Sequence, residues 1–383
     1  VRSSTDDVAY INGKVLEWAR KRSGIVIADI ARKSNATIHQ VEEWESGDSF
    51  PSFKTAQALA KMLRVPFGIL FLPAPPEQAI PLPDFRTLSK NYKPSPDFFE
   101  LLNGVLVRQD WYREYAIESG EKALKFVGKF NVNSKVTDVA NDIRQTLGLS
   151  QALRQTVRSW SEYLTAITRN AEDAGILVMK SSIVGNATHR KVSHEEVQGF
   201  AVSDDRAPLV FVNSNDFKAS QIFTMAHELA HIWIGQSALS NPDEALAGND
   251  AIEAFCNKVA AELLVPEEEF LKIWKDDTTD AVIAKVARWF WVSTIVVLRR
   301  AHEAQKISNA EFSRLRRREL DKVISAAASS GGDYYRNVVA RMGGRLTYAV
   351  LGEVQHQRIL LRDASRLLDM KIPTLLTFSE RAR

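Results

Sequence analysis

The chain has 383 residues, with 50 Lys and Arg against 47 Asp and Glu and a hydrophobic fraction of 45%. That length is enough for two or three domains with a sizeable core, and the near-balanced charge by itself names no polyanionic or polycationic partner. A single cysteine rules out an intrachain disulfide framework, and no stretch has the length and apolarity of a leader region or a membrane span, so a cytoplasmic protein with no membrane partner is expected.

Residues 1–72 are expected to form a short all-α domain. IADIARKSNATIHQVEEWESG reads as two helices joined by a tight turn. Ile30 and Ala31 pack the first helix, and Asn35 takes the turn, where asparagine tolerates a left-handed backbone. Thr37 caps the second helix, Ile38 and Val41 turn inward, and Gly47 ends it. FPSFKTAQALAKMLRVPFGILF supplies two more amphipathic helices. The arrangement, with its Trp44-Glu45-Ser46-Gly47 ending, resembles the repressor-type (XRE-like) helix-turn-helix family. The resemblance implies that the second helix enters the major groove of double-stranded DNA, which makes His39, Gln40 and Glu43 candidate base readers. Lys21, Arg22, Arg32, Lys33 and Lys54 are candidate phosphate contacts. The presumed recognition helix carries Glu42 and Glu43 and no Lys or Arg, so docking of a protein is the second reading of this domain.

Residues 73–95 form a proline-rich linker, in which LPAPPEQAIPLPDF removes backbone donors and favours extended chain. Residues 96–170 read as a helical connector, with apolar positions three and four apart in FFELLNGVLVRQDWYREYAI and VTDVANDIRQTLGL. The period then changes: GILVMKSSIV, VQGFAVS and APLVFVN are short apolar or alternating runs and read as strands.

The run IFTMAHELAHIWIG follows, with His227, Glu228 and His231 in the order H-E-x-x-H inside an apolar helix-forming segment. Residues four apart share one helical face, so His227 and His231 can aim two imidazoles at one zinc ion. Glu228 stands where its carboxylate can act as a general base toward water activated by that ion. A third protein ligand must come from elsewhere. Glu253, 22 residues after His231 on the next helix-like run AIEAFCNKVAAELLVP, is the best candidate. Asp243, Glu244, Asp250, Cys256 and Glu262 are alternatives within reach, with Cys256 better read as a small core residue.

HELAH followed by E-x-x-C-N-K-V-A-A-E-L-L-V-P resembles the ImmA/IrrE family of bacterial zinc metallopeptidases. The resemblance places Glu253 on the family's third zinc ligand and Asn257, Ala260, Leu263, Leu264 and Pro266 on its structural positions. Cys256 stands where alanine is usual, and Val259 where phenylalanine is. The D-F-R-T of Asp84–Thr87 and the strands before the motif also match the long members of the family. A zincin-like core over 171–270 is therefore expected, with a small sheet whose edge can pair with an extended peptide.

Residues 271–383 read as a C-terminal helical region. AVIAKVARWFWVSTIVVLRRAHEAQKIS resembles a further helix-turn-helix-like packing unit, and EFSRLRRREL offers Arg314, Arg316, Arg317 and Arg318 either to phosphate or to solvent. The glycine pair in SSGGDYY lacks the lysine pattern of a phosphate loop. His302 and His356 have no paired ligands, whereas His189 or His194 could reach the site from the sheet side.

The fold class expected is mainly α with a small β-sheet: an α+β zincin-like metallopeptidase core, an N-terminal all-α helix-turn-helix domain and a C-terminal helical region. The expected function is a zinc-dependent endopeptidase (Zn2+ as cofactor) coupled to a DNA-binding domain, cleaving a repressor or antitoxin-like protein in transcriptional regulation, with a homodimer left open. The alternative is a DNA-binding transcriptional regulator whose peptidase fold senses or binds without proteolysis.

Overall fold

The computed structural model describes residues 7–76, 94–240, 251–275, 277–323 and 334–381. Residues 7–76 with 94–100 form one compact unit, and the described residues from 101 onward form another. The greater part of the proline-rich stretch (77–93, including Asp84–Thr87), the connection at 241–250 with Asp243, Glu244 and Asp250, and the glycine pair near 331 lie outside the described residues.

The first unit contains α1 (Gly13–Ser23), α2 (Ile27–Ser34), α3 (Ile38–Ser46), α4 (Phe53–Leu63) and a 3-10 turn at Phe67–Phe71. Leu16, Ile30, Val41, Trp44, Leu59 and Leu63 close its core. Asn35 ends α2 in the left-handed region at φ 56°, and its N–H donates to the Ala31 carbonyl. Thr37 and Gln40 then form a reciprocal capping box that starts α3. Arg20 donates to both carboxylate oxygens of Glu45, at 2.6 and 2.9 Å, which ties α1 to the end of α3. Two local expectations are corrected. Ile38 is exposed rather than inward, because the buried face of α3 runs through Val41 and Trp44. The segment after Pro66 is a five-residue 3-10 turn, too short for a second amphipathic helix.

The second unit opens with α5 (Pro96–Glu118), whose first turn groups with the first unit. It continues through α6 (Val136–Thr146), α7 (Gln151–Thr156) and α8 (Trp160–Asp173). β1 (Leu177–Ser181), β2 (Ile183–Val184), β3 (Ala187–Lys191), β4 (Gly199–Val202) and β5 (Leu209–Asn213) lead into α9 (Lys218–Trp233). β6 (Ala238–Ser240) and α10 (Ala251–Leu264) follow. The sheet order is β1-β5-β4-β6, with β1 parallel to β5 and the other pairs antiparallel, while β2 and β3 form a separate hairpin. β3 and β6 extend the expected strand set; both are short and carry little apolar pattern.

α9 is buried from Gln221 to Trp233 between the β4–β5 face and helices α6, α8 and α10. Complete burial of Ile222, Leu229, Ile232 and Trp233 contributes about 1.5–3 kcal/mol per side chain. Its two ends are anchored by hydrogen bonds. Gln221 Nε2 donates to the Ser214 and Asp216 carbonyls at the entry. At the exit, the N–H groups of Gly128 and Phe130 donate to the carbonyls of Ile232 and Trp233 in the last turn, each at 3.0 Å. Trp233 stacks on Phe126 and its indole N–H donates to Asp142 at 2.8 Å.

The remaining helices are α11 (Glu267–Ile273), α12 (Asp280–Phe290), α13 (Thr294–Glu303), α14 (Asn309–Val323), α15 (Tyr334–Met342), α16 (Gly344–Gln355), α17 (Leu361–Leu367) and α18 (Ile372–Arg381). α12 and α13 share the core of α9 and α10: Val296, Val297, Leu298 and Ala301 are buried there. α13 thus packs its Val296–Leu298 and Ala301 side into this core. Farther along, Arg341 donates to the Gly185 carbonyl, and Arg345 pairs with Glu121 at 2.7 Å above the Tyr112 ring, fastening the C-terminal helices to the β2–β3 hairpin and to α5. No single helix among the described residues is long and apolar enough to cross a membrane. The whole is mainly α with a small mixed sheet, as the sequence pattern predicts.

Candidate functional site

α9 and α10 cross so that His227, His231 and Glu253 meet in the interior. Their solvent exposures are 0%, 0% and 2%, which makes a chance surface cluster untenable. One ligating atom from each lies within 4.8 Å of the others. His227 Nε2 is 3.0 Å from Glu253 Oε2, His231 Nε2 is 3.1 Å from Glu253 Oε1, and the two Nε2 atoms are 3.1 Å apart.

Asn257 determines what those atoms can be. It lies four residues after Glu253, on the same face of α10, and its Oδ1 is 3.1 Å from His227 Nδ1. An amide oxygen only accepts, so this contact assigns the proton to Nδ1 and leaves a lone pair on Nε2. That lone pair faces a second imidazole nitrogen and a carboxylate. Convergent lone pairs around an anion are the setting that a cation stabilises. Zinc bonds of about 2.0–2.1 Å in a tetrahedron set neighbouring ligand atoms about 3.3 Å apart, close to the separations here. The residues present therefore fit a zinc ion.

Glu228 is fully buried on the α9 face that meets β4. Gly199, the first residue of β4, lies directly against it: a Cβ placed there would stand 2.9 Å from Glu228 Oε1.

The other candidates are distributed as follows. Cys256 is a buried core residue and belongs to no metal-ligating cluster among the described residues. Glu262 is on another face of α10 and pairs with Arg300 at 3.1 Å. His189 is exposed on β3, while His194 is half-buried in the turn before β4; neither joins the ligating cluster. His302 stacks on Phe312, and His356 Nδ1 lies 2.7 Å from the Gly352 carbonyl at the end of α16. On α14, Arg318 pairs with Asp280 and Arg314 lies 3.9 Å from Glu311.

In the first unit, His39, Gln40 and Glu43 project from α3 with some of their polar atoms in local contacts. Gln40 Oε1 accepts the Thr37 N–H at 2.9 Å, and Glu43 accepts from Ser49 at 3.2 Å and lies 3.4 Å from His39 Nδ1. Arg32 pairs with Asp29 at 2.6 Å, whereas Lys33 is exposed.

Residues 171–302 match a peptidase family model described as the IrrE N-terminal-like domain. That interval contains the whole sheet, α9 and α10, so His227, Glu228, His231, Glu253 and Asn257 all fall inside it, and it runs through α12 and into α13. The match supports a metallopeptidase, a class that implies a bound metal. The first unit and the helices after residue 302 lie outside it. No curated protein matches the chain.

Sequence reasoning gave no site role to two residues that touch the candidate site, Asn257 and Gly199. Asn257 had a usable signal, since it stands one turn from the candidate ligand Glu253 and a ligating histidine needs a partner for its second nitrogen. Gly199 lies inside the run VQGFAVS, which reads as a strand with no role for its glycine.

Proposed function

We propose that this chain is a zinc-dependent endopeptidase joined to a DNA-binding unit, and that it acts in the cytoplasm in transcriptional regulation by cleaving a repressor or antitoxin-like protein. The observation that carries the reading is the buried convergence of His227, His231 and Glu253 with Glu228 one residue along α9. A structural site would have no use for that fourth group beside its ligands.

When bound, zinc supplies Lewis acidity and lowers the pKa of water. His227 and His231 hold their positions through a helix packed on all sides, and Asn257 keeps His227 in the ligating tautomer. Glu228 takes a proton from the attacking water at its carboxylate and returns it to the leaving amine. The substrate backbone is supplied in extended form along the sheet, whose edges among the described residues are β1 and β6. Support for the DNA-binding part is the α2–α3 pair, with Asn35 in the turn and the capping box on α3.

Glu228→Gln tests the peptidase reading. The variant should retain one zinc per chain by metal analysis while cleavage falls about 10²–10⁴-fold, the usual contribution of a general base. It should also retain its protein substrate in a pull-down. Cleavage at the wild-type rate would remove Glu228 from the reaction, and anomalous scattering that placed the metal away from His227, His231 and Glu253 would remove the site.

A further inference from the structure

We infer that Gly199 is a positioning residue for Glu228, and that the missing side chain on β4 sets where the carboxylate stands. The catalytic consequence rests on the peptidase reading; the steric one does not. Glycine brings no side chain to pack in a sheet, so its presence at the start of a strand paired on both sides calls for a reason. Backbone conformation does not supply one, since Gly199 is not among the residues with positive φ. Space does. A Cβ at Gly199 would stand 2.5 Å from Thr224 Cγ2, 2.9 Å from Glu228 Oε1 and 3.0 Å from the Phe211 carbonyl oxygen.

The strand cannot retreat from that crowding. Gly199 is paired with Val212 of β5 on one side and Ser240 of β6 on the other, and Phe211 belongs to the neighbouring strand. α9 cannot retreat either, being enclosed by α6, α8 and α10. Thr224 and Glu228 are four residues apart and share the face of α9 turned to β4, whereas His227 and His231 are directed toward α10. Of the groups in the way, the Glu228 carboxylate is the far end of the longest side chain, whereas Phe211 contributes backbone and Thr224 a branched Cβ. An added methyl is therefore relieved by displacing Glu228, while the three candidate ligands keep their places.

The test is a stability cycle on the metal-free full-length chain, read as urea midpoints. Thr224→Ser is introduced throughout to remove the nearest methyl. In that background Gly199→Ala should lower the midpoint clearly when Glu228 is present and by much less when Glu228→Ala is combined with it. Equal losses in both backgrounds overturn the inference. If Gly199→Ala fails to fold with Glu228 present but folds with Glu228→Ala, the coupling is established. If it folds in neither, the glycine serves the Phe211 carbonyl and the inference fails. In the zinc-loaded protein, Gly199→Ala should keep metal content and KM but lose kcat, and Glu228→Asp, with its shorter side chain, should cost less in the Gly199→Ala background than alone. Wild-type kcat in Gly199→Ala overturns the positioning role. Absence of proteolysis in the wild type sinks the peptidase reading instead, and leaves the stability cycle to judge Gly199.

Discussion

Asn257 Oδ1 holds His227 from behind at 3.1 Å, and the imidazole nitrogen that would bind a metal takes its character from that contact. Without the acceptor, His227 can shift its proton to Nε2, and ligation then has to remove it first. Asn257→Ala should therefore weaken zinc binding about 10–100-fold, the range typical of outer hydrogen-bond partners, as measured by competition with a chelator. An unchanged affinity would show that packing alone orients the ring. At this scale the sequence was informative where chemistry dictates spacing. His227, Glu228 and His231 sit within one helical turn, and Glu253 could be singled out because a helix-forming run carries it back toward them. Gly199 stayed invisible because its role depends on 2.9 Å of space beside a side chain on another element, which no local pattern encodes.

Between elements, the β1–α8 layer shows how the unit tolerates charge in its interior. Lys180 of β1 donates to Thr168 Oγ1 of α8 at 3.0 Å. Burial lowers its pKa to about 8, Glu172 opposes that shift, and Lys218 adds to it. The ordinary lysine value is about 10.4, so between about 8 and 10.4 the unfolded chain binds more protons than the folded one, and stability rises with pH across that window. The burial penalty is complete below pH 8 and disappears above the unfolded value. Lys180→Met should raise the urea midpoint at pH 7 and raise it less at pH 10; an equal gain at both would mean that the amine is not desolvated at a cost. Legibility at this scale followed length. α9 and α10 show sustained apolar runs, and β1, β4 and β5 are apolar on short clear segments. β6 is three residues, Ala-Leu-Ser, defined only by its pairing with β4, and β3 reads Ala-Thr-His-Arg-Lys with no buried face to mark it. The 3-10 turn after Pro66 was misread because five residues, Phe67–Phe71, carry too few positions to separate a helix from a turn.

Across the whole molecule, the proposed joining of a DNA-binding unit to a peptidase makes a quantitative demand on surface charge. Duplex binding releases about 0.9 counterion per neutralised phosphate, which fixes the slope of log K against log salt. Five side chains of the first unit were candidates for phosphate. Lys21 pairs with Glu17 and Arg32 with Asp29, while Arg22 lies over the Trp18 ring and donates to the Arg64 carbonyl. Lys33 and Lys54 are the two exposed cations of the set with no such partner. α3 supplies no positive residue, and Glu42 and Glu43 face outward beside His39 and Gln40. Two phosphate contacts per unit predict a slope of about −2, or about −4 when two copies bind a two-fold site. The full-length chain titrated against its own promoter at a series of salt concentrations should give a slope in that shallow range. Lys33→Ala or Lys54→Ala should then reduce it by about one per unit and weaken all sequences alike. A much steeper slope would mean that the internal ion pairs open to meet the backbone. Absence of binding at low salt would remove DNA from the proposal and leave α3, with its exposed Ile38 and two glutamates, as a surface for protein.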